Sequence, residues 1–139
     1  MTQFTVGMKG VHVVRVEPQH TAHAWGNVGV PVLATPILIL FCEIAGHNAI
    51  FRNFKPGEGS VGYHNDLWHL AATPVGGTVT VEATIREIDR KRLIFDVTGH
   101  DERAQVVKGT HERIVVDLDK SWQSWPSKTK HPHPEPVEG

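Results

Sequence analysis

Residues 34–54 read Ala34-Thr-Pro-Ile-Leu-Ile-Leu-Phe-Cys-Glu-Ile-Ala-Gly-His-Asn-Ala-Ile-Phe-Arg-Asn-Phe54, and this run predicts a long helix. Thr35 can serve as its N-cap, and Pro36 suits the first turn, where a missing N–H costs nothing. Ile37 to Phe41 is apolar on every side of a helical period, which predicts burial all round. Lys55-Pro-Gly-Glu-Gly59 then ends the helix, because Pro56 cannot continue it and two glycines follow. An apolar helix of this length must be wrapped by another element.

The flanking sequence supplies a sheet. Upstream, Val11 to Val16 reads as a strand rich in β-branched residues and closed by Pro18. Gln19 to Val32 reads as an irregular or short helical connection. Downstream, Ser60 to Ala72 is a strand that stops at Thr73-Pro74. Thr78 to Arg86 alternates cleanly, predicting Val79, Val81, Ala83 and Ile85 on a core face and Thr78, Thr80, Glu82 and Thr84 on the other. Leu93, Phe95 and Val97 resume that alternation after the polar turn Asp89-Arg-Lys91. Ala104 to Leu118 is a last long strand, bent near Gly109. Strand, long helix and four further strands predict an α+β protein with the hot-dog fold, its long central helix wrapped by a curved antiparallel sheet. One domain is expected over residues 5–120. Ser121 to Gly139, with Pro126, Pro132, Pro134 and Pro136, is expected to be a mobile tail. Such a sheet leaves an open edge and a half-covered helix, which a two-fold homodimer would cover.

Composition narrows the function. The chain has 139 residues, with 14 Lys+Arg against 15 Asp+Glu and a formal net charge of −1. A charge so close to zero argues against nucleic acid or an anionic membrane as partner. With a single cysteine, Cys42, the chain can form neither an internal disulfide nor a four-cysteine zinc site. The most apolar stretch, Val28 to Cys42, is interrupted by Gly29, Pro31 and Pro36 and is shorter than the roughly 20 residues a membrane span needs. No basic region followed by an apolar one marks a secretory leader at the N-terminus. The expectation is a cytoplasmic protein.

Glu43 is the anomaly in this pattern. Besides Glu17 it is the only Asp, Glu, Lys or Arg between Arg15 and Arg52, and it lies two turns into the helix. A carboxylate in apolar surroundings has a raised pKa unless it is paired, which suits a base or nucleophile. The alternative is that Glu43 marks a solvated stripe with Cys42, His47 and Asn48. Thr35 precedes Glu43 by eight positions, roughly 80° around the axis and about 12 Å along it, so the two could flank one small substrate. As an N-cap, Thr35 would stand where free backbone N–H groups attract an oxyanion, or it would simply cap. His64, Asp66 and His69 raise the question of a metal. Strand parity sets His64 and Asp66 on one face and His69 on the other, with Asn65 and Leu67, so no metal and no cofactor is expected. For His69, a satisfied core histidine is the plain alternative.

Taken together, Ala34-Thr35 with Glu43, Pro56-Gly-Glu-Gly-Ser-Val-Gly62, His69-Leu-Ala-Ala-Thr-Pro74, Gly77-Thr-Val-Thr-Val81 and Gly109-Thr-His-Glu-Arg113 resemble the fluoroacetyl-CoA thioesterase family of hot-dog proteins. The resemblance runs in order from about Val11 to Lys120. It implies hydrolysis of a short-chain acyl-CoA thioester to free acid and CoA. It also implies a catalytic set of Thr35, Glu43 and His69, with Gly62 offering a backbone N–H to the thioester oxygen and Arg113 nearby. In that scheme Glu43 attacks the carbonyl or activates the water that does, Thr35 orients, and His69 handles protons. Tyr63-His-Asn-Asp-Leu-Trp68 is bulkier and more polar than the family's segment there, and Tyr63 and Trp68 are expected to shape the acyl pocket or to pack. The other function class is a non-catalytic module that binds acyl-CoA without turnover. Arg86, Arg90, Lys91, Arg92 and Lys108 are candidates for the CoA phosphates, or form solvated turns.

Overall fold

The structure, a computed structural model, describes residues 3–120 and 122. The expected tail from Ser121 to Gly139, Trp122 apart, lies outside the described residues. Strand β1 (Lys9–Arg15) is followed by helix α1 (Thr35–Ile50), then by β2 (Glu58–His69), β3 (Thr78–Asp89), β4 (Arg92–His100) and β5 (Gln105–Asp117). The strands form one antiparallel sheet in the order β1-β3-β4-β5-β2, so β1 and β2 are its edges. The sheet curls around α1.

The alternation read from sequence sets the core. Val79, Val81, Ala83 and Ile85 of β3 and Leu93, Phe95 and Val97 of β4 are all no more than 1% exposed. They meet Leu38, Phe41, Cys42, Ala45 and Ala49 of the helix. Burying each large aliphatic or aromatic chain of this set contributes roughly 1.5–3 kcal/mol over leaving it in water. Between the helix and β1 the contact is closer than side chains allow: Gly10 faces the helix backbone at Ala45 and Ala49.

Three expectations need correcting. Thr35 is not the N-cap: Ala34 is, with φ −73° and ψ 142° and no side-chain capping bond. An extended backbone at Ala34 starts the helix one residue early, which leaves the Thr35 hydroxyl free for another partner. Burial is not all round either, because Leu40 is 48% exposed. Leu40, Ile44, His47 and Phe51 recur every three or four residues and form the stripe turned away from the sheet, which the described residues leave exposed or half-exposed. The helix also stops at Ile50, and a single 3-10 turn (Phe51–Asn53) carries the chain to the break at Pro56.

One irregularity decides which face of β2 carries what. The register against β5 runs Gly62↔Arg113 and then His64↔Glu112, so Tyr63 is an extra, bulged residue. Before the bulge Ser60 and Gly62 face the helix. After it Asn65, Leu67 and His69 do, while His64, Asp66 and Trp68 face outward. Gly109 of β5 has φ 144°, and a Cβ there would collide with the Asp66 carbonyl of β2, which explains a glycine at the close approach of the two strands.

Candidate active site

Two clusters of polar side chains lie between α1 and β2. At the N-terminal end of α1, the Thr35 hydroxyl is 2.8 Å from His69 Nδ1. His69 Nε2 is buried and has no hydrogen-bond partner among the described residues. Burial lowers the His69 pKa, with a backbone hydrogen bond to Ala71 acting the other way, so its ring is neutral at pH 7. A neutral imidazole with one nitrogen anchored and the other open can pass a proton.

Two turns further along α1, the half-buried Glu43 carboxylate lies against Gly62. A Cβ at Gly62 would stand 2.9 Å from Glu43 Cδ and from both carboxylate oxygens, so only glycine leaves room. Glu43 Oε2 accepts a hydrogen bond from Asn65 Nδ2 at 3.2 Å. Asn65 Oδ1 is 2.7 Å from His111 Nδ1, and His111 Nε2 is 3.2 Å from Arg113 Nη1. Arg113, 6% exposed, also donates through Nε to Ser60 Oγ at 2.8 Å, through Nη2 to the Ser60 carbonyl at 3.2 Å and through Nη1 to the Glu43 carbonyl at 3.4 Å. Gly46 makes room for this group, since a Cβ there would lie 3.0 Å from the His111 ring. Burial lowers the Arg113 pKa and the Glu43 charge opposes that shift.

Burial, reinforced by the Arg113 charge, lowers the His111 pKa to about 4. The folded state therefore holds His111 neutral where the unfolded chain, near 6.5, begins to take up a proton. Stability from this residue is complete above about pH 6.5 and is lost as pH falls toward about 4. His12, His47 and His69 are shifted the same way. Urea midpoints taken between pH 7.5 and 4 are expected to fall in that window, and proton NMR is expected to show one imidazole titrating near 4; histidines all titrating above 6 would contradict the burial of His111. The Cys42 thiol is pushed up to about 12 by burial and by Glu43, which removes it as a nucleophile.

The residues singled out from sequence thus separate in one protomer. Thr35 and His69 meet at one end, and Glu43, Gly62 and Arg113 meet at the other, roughly 12 Å away along the helix. Tyr63 and Trp68 are 63% and 64% exposed on β2, off the face that carries His69. A cavity of about 230 Å³ opens beside Glu43, lined by Leu40, Ile44, His47 and Arg113. Another of about 270 Å³ opens beside Thr35, lined by Ala22, Trp25, Asn27 and Pro36. Of the cations considered for phosphate, Arg92 is held by Glu112 and Asp89 and Arg86 by Asp96. Arg90 and Lys91 line a separate cavity with Lys55. Among the described residues, no three His, Cys, Asp or Glu side chains could hold a metal ion, and no helix is long and apolar enough to cross a membrane.

Asn65 and His111 were not singled out from sequence. His111 stands inside the run Gly109-Thr-His-Glu-Arg113, where strand parity with Arg113 was a usable signal. Asn65 offered only its parity with His69.

Comparison with known proteins decides the family. Residues 16–119 match the family model described as fluoroacetyl-CoA-specific thioesterase. The chain belongs to that family. The fluoroacetyl-CoA thioesterase of Streptantibioticus cattleyicolor is 42% identical over 89 residues, covering 64% of each chain, so the alignment spans just under two thirds of that relative. A solved mutant of the fluoroacetyl-CoA thioesterase FlK in complex with fluoroacetate superposes with a TM-score of 0.83 at 34% identity, covering 91% of this chain and all (100%) of that one. A second FlK mutant, in complex with acetyl-CoA, gives a TM-score of 0.82 at 33% identity, with 91% and 100% covered. A Thermus thermophilus member of the thioesterase superfamily, 26% identical with a TM-score of 0.77 over 84% of this chain and 86% of that one, shares the hot-dog fold. Within the fluoroacetyl-CoA-specific thioesterase family, then, this chain keeps the helix wrapped by a five-stranded sheet.

Proposed function

We propose that this protein hydrolyses a short-chain acyl-CoA thioester to the free acid and CoA, acting as a homodimer in the cytoplasm. The observation that carries the reading is the family match across residues 16–119, in a chain whose Thr35 and His69 are hydrogen-bonded and whose Glu43 is seated on Gly62. In the reaction, Glu43 takes a proton from the water that adds to the thioester carbonyl carbon, or adds there itself and is freed when water cleaves the resulting acyl–Glu43 anhydride. The Gly62 N–H receives the charge developing on the carbonyl oxygen. The C–S bond breaks, and the departing CoA thiolate takes a proton delivered by His69, whose ring Thr35 holds. Net, one water is consumed, and one carboxylate, one thiol and one proton are released. Arg113 keeps the Glu43 end of the site anchored.

The dimer completes this site. Gly62 and His69 stand roughly 20 Å apart along one β2 strand, too far to serve one thioester. Among the described residues β2 is an open edge carrying the exposed apolar residues Val61, Tyr63 and Trp68, with Leu70 just past its end, next to the uncovered helix stripe. Pairing two β2 edges antiparallel about a two-fold near residues 65–66 brings the Glu43–Gly62 end of one subunit to the Thr35–His69 end of its partner. Tyr63 and Trp68 then bound the acyl group from the interface. The functional unit is the domain over residues 5–120.

Purified protein is expected to release free thiol from acetyl-CoA or a longer short-chain ester, fluoroacetyl-CoA included in the screen, and to sediment as a dimer. CoA-ester binding by calorimetry with no thiol release over hours would instead leave a binding module.

A further inference from the structure

We propose that Asn65 is a positioning residue for Glu43, locked by His111 and Arg113 so that one carboxylate oxygen is held and the other is left to react. The inference rests on the reading of Glu43 as the reacting group, and it assigns a role to two side chains that the hydrolysis scheme above does not use.

The directions of the hydrogen bonds follow from chemistry. A guanidinium only donates, so His111 Nε2, 3.2 Å from Arg113 Nη1, must accept. The neutral ring then carries its proton on Nδ1 and donates it to Asn65 Oδ1 at 2.7 Å. With its oxygen committed to His111, the Asn65 amide can turn only its NH₂ toward Glu43 Oε2, at 3.2 Å. Every bond in the chain from Arg113 to Glu43 therefore points the same way, and the amide cannot flip without placing its oxygen against a carboxylate. Oε2 is held from one side by this donor, while Gly62 receives the whole carboxylate from the other. His111 is fully buried, so water does not compete for its partners. A reacting group held this tightly avoids the loss of rate, up to about 100-fold, that a displacement of about 1 Å brings.

The test combines one variant pair with one measurement on unaltered protein. Asn65→Leu keeps the branched shape and removes the donor; kcat is expected to fall about tenfold or more with KM within about threefold. Asn65→Asp still accepts from His111 but sets a second carboxylate against Glu43; the acid limb of the kcat–pH profile is expected to move up by about one unit or more. The titratable groups around Glu43 are Cys42 and His47 on its own helix, His111 and Arg113 on β5, and His64 and Asp66 on the outer face of β2. Nitrogen-15 NMR of the unaltered protein at pH 7 is expected to show His111 protonated at Nδ1 and bare at Nε2. The reverse tautomer, or unchanged kcat and pH profile in both variants, would overturn the proposal. Absence of thiol release by unaltered protein would overturn the hydrolytic reading and with it the role of Asn65 in turnover, whereas the reverse tautomer in an active protein would overturn the positioning role alone.

Discussion

Glu43→Gln is expected to lower thiol release by at least about 100-fold while leaving the oligomeric state and the thermal transition as they are in unaltered protein. The magnitude is that of losing a positioned acid–base or nucleophilic group. The substitution suits the site because a neutral amide of the same length still fits over Gly62 and still presents an oxygen to Asn65 Nδ2, so neither packing nor the Asn65–His111–Arg113 chain is broken. What disappears is the charge. A uniform-binding role for the carboxylate would raise KM and spare kcat, whereas the proposed role predicts the loss in kcat. Stopped assays with a thiol reagent across acyl-CoA lengths decide it, and full turnover by this variant would remove Glu43 from the chemistry.

The second large effect falls on stability. Gly10→Ala is expected to cost at least about 3 kcal/mol, because overpacking here is against backbone that cannot rotate away. A Cβ at Gly10 would overlap the Ala45 carbonyl oxygen and the Ala49 nitrogen and lie 2.8 Å from the Asn48 carbonyl carbon, all in α1. The helix would have to lift off β1, carrying with it the contacts of Cys42, Ala45 and Ile50, each fully buried. Against a typical domain stability of about 5–15 kcal/mol that is a large share. Gly7→Ala is the control: its Cβ meets nothing within 4 Å, and only the φ of 99° is strained, so about 1–2 kcal/mol is expected. Urea melts of the two variants check the ranking, and equal midpoints would contradict the close helix–strand contact.

Much of the scaffold was legible in the sequence because its signals are local. Period-two alternation in β3 and β4 matches the buried set residue for residue, whereas the α-helix ends at Ile50, ahead of the Pro56–Gly57 break that was expected to end it. The helix start was misread by one residue, since Ala34 and Thr35 compete for the cap and only the backbone at Ala34 settles it. Leu40 was misread for a different reason: an apolar stripe predicts burial, but whether a sheet or a second subunit supplies it is not written in the helix. The parity argument for His69 against His64 and Asp66 held, while the same parity would have set Gly62 with His64.

By itself, then, the sequence determined that one apolar helix is wrapped by an antiparallel sheet, which follows from periodicity, a signal that neighbouring residues carry with them. Thr35, Glu43 and His69 stood out as a set only through the resemblance to a thioesterase family. Only the tertiary structure decided that the bulge at Tyr63 turns Gly62 toward Glu43, and that Glu43 is held through Asn65 and His111 while Thr35 holds His69. These contacts join residues 22, 46 and 34 positions apart. Their geometry is set by how strands register and how the helix seats on them, and neither leaves a trace in local sequence.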